Sequence, residues 1–294
     1  MLQIPQLGSF DQLAVERAVH ALSRSNVRNP LSVERIKVWV KQFVSDEEKT
    51  LAWLILRNLI FRTSEQLQSS MRQALKQAAL HFLDKTGQRD TVAWTDALKG
   101  AAGLAFYCGP PSAALYSKPG KSGDVIARAI NQRYGIEKLF PSDVTVLSEK
   151  ERFIVVDDGT YTGTQLANFL ESWEQDYSSG RVAIAVGMAH QTACDHLRTR
   201  FPEVPLFHGE LLTPETCFVS LAQKWIETQQ WTYDKSPLEV YAEVHNRAQP
   251  FKEGNGENGY GNIGALVAFS HGVPDDSIQL LWGASENWKP LVER

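Results

Sequence analysis

The sequence predicts an α/β protein in which a parallel β-sheet follows a helical N-terminal region. Apolar residues recur at helical spacing through residues 1–95, and no strand–helix alternation is found there. From residue 101, short apolar runs alternate with amphipathic segments. These runs are nearly continuous in valine and isoleucine, which is typical of strands buried on both faces of a parallel sheet. We therefore predict a helical region over 1–99 and an α/β domain over 100–294.

Composition indicates a folded protein, and net charge limits the classes of partner that it would attract. Of the 294 residues, 43% are hydrophobic and 22% are charged, so disorder is excluded as the main state. A formal charge of −4 gives no overall attraction to nucleic acid or to an anionic membrane. The three cysteines lack CxxC spacing, which favours a reducing compartment, and the first residues lack a signal peptide pattern. We expect a cytoplasmic protein without a membrane partner.

Helical patterns in the N-terminal region can be placed one by one. Apolar stripes at helical spacing or long apolar runs mark four segments: 10–24, 32–43, 51–61 and 64–84. Ser45 with Glu48, and Thr63 with Gln66, form capping-box patterns ahead of the last two. The run 51–61 is the most apolar of the chain but is too short to span a bilayer. It is interpreted as a buried core helix.

Strand and helix patterns of the α/β domain follow in order. The predicted strands are 103–109, 144–148, 153–158, 181–190 and 204–212, with two closing strands at 265–271 and 277–283. Amphipathic patterns predict the helices between them, at 124–134, 162–175 and 191–201. Short connections between strand and helix are expected for a sheet of this kind.

The stretch "FIVVDDGTYTGTQ", residues 153–165, carries the clearest chemical signal. Asp157 and Asp158 end a predicted strand, and ligands of open α/β sheets bind beyond the carboxyl ends of strands. The next helix is predicted to start near Gly163 or Thr164, where free backbone amides attract an anion. Glycine also lets the backbone approach a phosphate closely. The loop is therefore suited to a phosphate group.

The carboxylates beside this loop need other partners. Sugar hydroxyls and hydrated Mg²⁺ are suitable ones, and Thr160, Thr162 and Thr164 add hydroxyl donors. A phosphate flanked by hydroxyls and a metal describes a phosphorylated ribose. The alternative, which stays open, is that Asp157 and Asp158 cap a helix or face solvent and that the loop is a plain connection.

The same stretch resembles the signature of type I phosphoribosyltransferases, in which an apolar strand, two acidic residues and a Thr-Gly loop follow one another. The resemblance implies that Asp157 and Asp158 hold the ribose hydroxyls of phosphoribosyl pyrophosphate (PRPP). It also implies that the loop holds the 5′-phosphate. The loop residues concerned are Thr160, Tyr161, Thr162, Gly163, Thr164 and Gln165.

A second stretch, "KPGKSGDVIARAINQRYGI", resembles the segment where the pyrophosphate-binding loop of such proteins is expected. It implies that Lys121, Ser122 and Gly123 lie at the pyrophosphate, with Lys121 stabilising its departure. The other interpretation is a polar turn in which Ser122 caps the next helix. Mg²⁺ is expected as cofactor through PRPP, with Asp157 and Asp158 as the only protein groups suggested beside it.

Gln165 departs from the ordinary signature, which ends in a threonine. That glutamine, and the ending "GALVAFSHGVPDDSIQLLWGASENWKPLVER", resemble the divergent phosphoribosyltransferase-like effectors of bacterial conflict systems. Some of those are encoded beside retron reverse transcriptases. The resemblance implies a toxic antiphage effector that transfers or hydrolyses the phosphoribosyl group, with a retron reverse transcriptase and its RNA and DNA as a regulatory partner.

Two other functions are compatible with the same residues. A nucleobase-salvage phosphoribosyltransferase would use the same site, and a non-catalytic module that senses a nucleotide or docks a partner would keep the fold without turnover. A P-loop NTPase is disfavoured, although "GKS" at 120–122 resembles part of its motif. That motif needs a glycine at position 115, where the chain has leucine.

Overall fold

The computed structural model describes residues 10–111, 122–144, 146–173, 175–250 and 256–293. The helices are α1 (Gln12–Arg24), α2 (Val33–Val40), α3 (Asp46–Asn58), α4 (Ser64–Lys85), α5 (Trp94–Ala97), α6 (Ser122–Tyr134), α7 (Thr164–Ser172), α8 (Gln191–Arg200), α9 (Phe218–Glu227) and α10 (Pro237–Ala248). The strands are β1 (Ile60–Arg62), β2 (Ala105–Gly109), β3 (Glu137–Lys138), β4 (Glu151–Thr160), β5 (Val182–His190), β6 (Leu206–Leu212) and β7 (Val267–Phe269). In the described part of the chain, no helix combines the length and the apolar character that a membrane span requires.

The chain forms two compact units, one of Met1–Glu65 with Thr213–Arg294 and one of Gln66–Leu212. The predicted boundary at residue 99 lies where the sequence pattern changes from helical to alternating. It does not coincide with the boundaries of the compact units, which lie after residues 65 and 212. The difference arises because α4, the last helix of the predicted N-terminal region, contacts the sheet directly. A Cβ atom at Gly209 of β6 would lie 2.2 Å from the Ser70 carbonyl oxygen of α4, so only glycine permits this approach.

The first unit packs helices α1 to α3 with α9 and α10 around a core rich in tryptophan. Strands β1 and β7 pair in parallel there, with Ile60 opposite Val267. The predicted helix over 51–61 is therefore wrong in its last residues. Asn58 ends α3, and Leu59 is extended with φ −63° and ψ 118°, which turns the chain into β1. Strand β1 forms because it pairs with β7, which is distant in sequence.

The ending of the chain contains one of its two predicted closing strands. Residues 267–269 form β7, whereas 277–283 forms a 3₁₀ turn at Gln279–Leu281 instead of a strand. The indole nitrogens of Trp39 and Trp288 both donate to the Leu280 carbonyl, at 2.9 and 3.0 Å. This carbonyl is consequently taken by side chains rather than by a neighbouring strand.

The second unit holds a five-stranded parallel sheet in the order β3-β2-β4-β5-β6, which confirms the predicted α/β fold class. On one face, Val155 and Ile184 join a core with residues of α7 and α8. On the other face, Phe106 contacts Phe82 of α4, with ring centroids 5.8 Å apart. Helices therefore cover both faces, as the continuous apolar runs predict.

The predicted strand at 144–148 is not formed by residues 144 and 146–148, the part of it that the structure describes. The Val144 carbonyl accepts hydrogen bonds from the side chains of Trp173 and Gln175, and Val146 is 79% exposed. The edge of the sheet is formed instead by β3, whose two residues pair with Tyr107 and Cys108 of β2.

The strand order creates one special position in this sheet. From β2 the chain passes through α6 to β3 on one side, while β4 lies on the other side of β2. Such a reversal of strand order opens a crevice beyond the carboxyl ends of the two central strands, where ligands of doubly wound sheets bind. Here those ends are Gly109 of β2 and the Asp157–Thr160 end of β4.

Candidate functional site

The crevice brings together the acidic pair and the start of α6. Asp157 is 6% exposed, and Asp158 is half-buried. The Ser122 hydroxyl donates to Asp157 Oδ1 over 3.4 Å, and a Cβ atom at Gly123 would lie 3.1 Å from the same oxygen. Three of the residues predicted from sequence, Ser122, Gly123 and Asp157, are thus in contact. Lys121 lies outside the described residues.

The surroundings of Asp157 disfavour its ionised form. Burial raises the pKa of Asp157 well above its ordinary value, and the neighbouring charge of Asp158 raises it further. The Asp158 amide, at 3.0 Å, and the Ser122 hydroxyl oppose this shift without overcoming it. A carboxyl pair in which one member is buried favours a cation or hydroxyl donors as partners. Perturbed carboxyls in a crevice are frequent at functional sites.

The loop after the acidic pair ends at a glycine that begins α7. Gly163 has φ 78°, in the left-handed region, and Thr164 is the first helical residue, as the sequence predicts. The Thr164 amide donates to Thr162 Oγ1 over 3.3 Å. The amides that follow have no partner inside an α-helix because they belong to its first turn. They are available to an anion at the end of β4.

Helix α8 holds this loop in place from outside. A Cβ atom at Gly163 would lie 3.3 Å from both Cα and the carbonyl oxygen of Ala193. The Nδ1 atom of His196 lies 3.0 Å from the Thr162 carbonyl oxygen. The backbone of the loop is therefore fixed by packing and by a hydrogen bond before any ligand binds. Preorganisation of this kind lowers the free energy that ligand binding would otherwise spend on ordering the loop.

Side chains of the predicted phosphate loop have different surroundings. Tyr161 is 4% exposed, and its hydroxyl lies 3.7 Å from the sulfur of Met188. Its ring packs against Gly159, so this residue would offer a ligand its backbone rather than its phenol. Thr160 is buried, Thr162 and Thr164 are half-buried, and Gln165 is exposed in the first turn of α7.

Comparison with protein families agrees with this geometry. A family model described as PRTase-CE matches residues 36–294. The chain belongs to the PRTase-CE family. It is accordingly a phosphoribosyltransferase-like protein, and membership indicates a transferase. No curated protein matches the chain.

The PRTase-CE match includes most of the helical N-terminal region as well as the sheet. It begins inside α2 and runs through both compact units. Helices α3, α4 and α5 thus lie within the matched range together with the sheet, whereas α1 precedes it.

The first turn of α6 also contains an ion-pair cluster in this PRTase-CE protein. Asp124 is 5% exposed and binds Lys138 of β3 and Arg128 of α6. Burial opposes ionisation of Asp124, but the hydrogen bonds from Lys138 and Arg128 outweigh it and lower its pKa. The cluster anchors the start of α6 to the edge of the sheet. Sequence reasoning missed it because no apolar run marks the two-residue strand that carries Lys138.

Metal ligands in this PRTase-CE protein are sparse. Across the parts of the chain that the structure describes, no group of three or more His, Cys, Asp or Glu side chains is placed to hold a metal ion. Asp157 and Asp158 are a pair of oxygen donors of the type that Mg²⁺ prefers, and Mg²⁺ commonly completes its shell with water and substrate phosphate. The donor set fits a metal that arrives together with a phosphorylated ligand.

Proposed function

We propose that this PRTase-CE protein binds PRPP with Mg²⁺ in the crevice between β2 and β4 and transfers its phosphoribosyl group to an acceptor or to water. The observation that carries the proposal is the Asp157–Asp158 pair, of which Asp157 is buried and contacts the start of α6. The pair is followed by helix α7, which has Gly163 as its N-cap. Two helix starts and two carboxyls match a ligand with two phosphate ends and a polyol between them.

Each part of the ligand has a group suited to it. Asp157 and Asp158 would accept hydrogen bonds from the ribose hydroxyls, and the first amides of α7 would donate to the 5′-phosphate. Lys121, Ser122 and Gly123 would lie toward the pyrophosphate. Bound Mg²⁺ would neutralise pyrophosphate charge, with Asp157 and Asp158 as nearby oxygen donors.

The reaction would be a displacement at ribose C1. The bond from C1 to the pyrophosphate oxygen breaks, and its electron pair leaves with pyrophosphate. A new bond forms from C1 to a nitrogen or oxygen of the acceptor, which loses a proton. The ribose carries positive charge in this transition state, and the negative charge of the acidic pair would stabilise it electrostatically. Water as acceptor gives ribose 5-phosphate.

An effector role is the second part of the proposal. The exposed Gln165 stands where ordinary signatures keep a hydroxyl, and the C-terminal stretch resembles that of conflict-system effectors. We expect a toxic activity in antiphage defence, controlled by a partner such as a retron reverse transcriptase with its RNA and DNA. Expression of the chain should slow bacterial growth, and the Asp157→Asn/Asp158→Asn variant should not. Equal growth defects from both would exclude toxicity by this site.

Pyrophosphate release from PRPP with Mg²⁺, measured with the purified protein and candidate acceptors, tests the enzymatic proposal. Asp157→Asn/Asp158→Asn should lower the rate at least about 100-fold, as expected for loss of transition-state charge stabilisation. The matched control is Asp90→Asn/Asp96→Asn, which neutralises two exposed carboxylates of the same unit. PRPP binding without turnover would favour a nucleotide-sensing module. Absence of both binding and turnover would overturn the proposal.

A further inference from the structure

A cavity of about 290 Å³ lies between α4 and α6 in the second compact unit. Its lining residues are Gln68, Met71, Arg72, Leu75, Ile126, Ala129, Ile130, Gln132, Arg133 and Tyr134. The residues described above for the acidic pair and the phosphate loop are not among them. The volume is close to the lower end of the range of about 300–1,000 Å³ that is usual for small-molecule sites.

The lining separates into an apolar floor and a polar rim. Met71, Leu75, Ile126 and Ile130 are buried. Arg72, Arg133 and the two glutamines are exposed. An apolar pocket with a few polar groups at its mouth is the usual form of a small-molecule site. The methionine also gives the floor some ability to adapt its shape to a ring.

Aromatic rings hold the two arginines at the rim. The guanidinium of Arg72 lies 6.0 Å from the ring centroid of Trp94, and that of Arg133 lies 5.9 Å from the ring of Tyr134. Trp94 and Tyr134 contact each other, with centroids 5.6 Å apart. Gln68 accepts a hydrogen bond from Arg133 over 3.4 Å. The two cations are thus positioned by neutral groups.

Charge at this rim is not compensated. Arg72 and Arg133 are the charged members of the lining, and within the described residues neither has a carboxylate within 4 Å. Two arginines of this kind attract an anionic group, which a guanidinium can bind through two parallel hydrogen bonds. The rim therefore favours a ligand with a negative charge.

We propose that the cavity between α4 and α6 is a second small-molecule site, which takes an aromatic or heteroaromatic ring that carries one anionic group. The ring lies on the apolar floor, and the anionic group pairs with Arg72 and Arg133. The site is separate from the acidic pair, and the inference does not depend on PRPP chemistry.

Isothermal titration calorimetry with naphthalene-2-sulfonate as the probe tests the site, and 2-naphthalenemethanol serves as the uncharged ring. The sulfonate should bind one saturable site at least tenfold more tightly than the alcohol. Arg72→Gln/Arg133→Gln should weaken sulfonate binding at least tenfold, and Ala129→Phe should abolish it by filling the cavity. The matched control is Arg89→Gln/Arg198→Gln, which removes two exposed arginines that pair with carboxylates elsewhere in the unit.

The outcomes distinguish binding at this site from binding at the acidic pair and from nonspecific binding. Asp157→Asn/Asp158→Asn should leave probe binding unchanged. Circular dichroism checks that Ala129→Phe is folded, and the rim variant tests the site if that substitution prevents folding. Equal binding of both probes, or equal weakening by the Arg89→Gln/Arg198→Gln control, would overturn the proposal. So would the absence of saturable binding to the unmodified protein.

Discussion

Two buried carboxylates, one in each compact unit, are treated oppositely by their surroundings. In the first unit, Glu48 accepts two hydrogen bonds from Arg247, at 2.8 and 2.7 Å, and one from the Val44 amide at 2.6 Å. Burial opposes its ionisation, but these bonds outweigh burial and lower its pKa. In the second unit, Asp157 has another carboxylate as its neighbour, and its pKa is raised.

The start of α7 differs in a similar way from the starts of three helices in the first unit. In the first unit, Ser32, Ser45 and Ser236 accept hydrogen bonds from first-turn amides of α2, α3 and α10. In the second unit, α7 begins at Gly163, which has no side chain to do so. These three helix starts of the first unit are thus capped by side chains of the chain itself. The first-turn amides of α7 lie instead at the end of β4, where an anionic ligand could accept hydrogen bonds from them.

The largest effect on stability is expected at Gly163. Gly163→Ala should lower the free energy of unfolding by about 2–3 kcal/mol, because an alanine there combines a left-handed conformation with a tight contact to Ala193. Gly135→Ala is the matched control, since Gly135 has φ 70° and open space around its Cβ position. It should cost about 1 kcal/mol from the conformation alone. Urea denaturation measures both, and equal losses would show that the contact with α8 does not constrain the loop.

Breaking the ion pair of Glu48 and Arg247 in the first unit should have the next largest effect on the free energy of unfolding. Arg247→Met should cost about 1–2 kcal/mol, between the values for exposed and buried pairs, because the Arg247 side chain is 45% exposed. Glu48 has a lowered pKa, so its contribution is complete above its unfolded pKa and is lost as the pH falls through its folded pKa. Denaturation from pH 7 to pH 3 should show the wild type approaching Arg247→Met. Glu48→Gln completes a double-mutant cycle, and additive losses would contradict a coupled pair.

Neutralising Asp157 should have the smallest effect on the free energy of unfolding, and this effect should be stabilising. Asp157→Asn should raise the free energy of unfolding by about 1 kcal/mol at pH 8, because it removes a poorly compensated buried acid. A folded pKa above the ordinary value of 3.8 means that the wild type loses stability as the pH rises from that value through the folded pKa. The difference between variant and wild type should therefore shrink toward pH 4. A variant that is less stable at pH 8 would show that the hydrogen bonds from Ser122 and the Asp158 amide outweigh the cost of burying Asp157.

Sequence patterns located the elements that depend on neighbours in the chain. The strand at β5, the start of α7 at Thr164 and the Ser45 cap of α3 all follow from local rules of apolar spacing, glycine conformation and side-chain capping. The acidic pair was likewise placed at a strand end. These features could be predicted because their energetics involve residues only a few positions apart.

Elements that depend on distant partners could not be predicted in this way. Strand β1 exists because β7 pairs with it across more than 200 residues, and residues 279–281 leave the strand conformation because two tryptophans bind the Leu280 carbonyl. The ion pair of Asp124 with Lys138 depends on the order of strands in the sheet. Short apolar runs alone do not encode such partners.

The sequence by itself determined that a strand, two carboxylates and a glycine-led helix follow one another, because each is a local pattern. Only the tertiary structure decided that the start of α6 contacts Asp157 and that burial raises the pKa of this carboxyl. It also decided that Tyr161 packs inward and that the rim of the cavity between α4 and α6 has two arginines without a carboxylate partner among the described residues. Burial and charge compensation depend on which residues the fold brings together, and that information is not local to any motif.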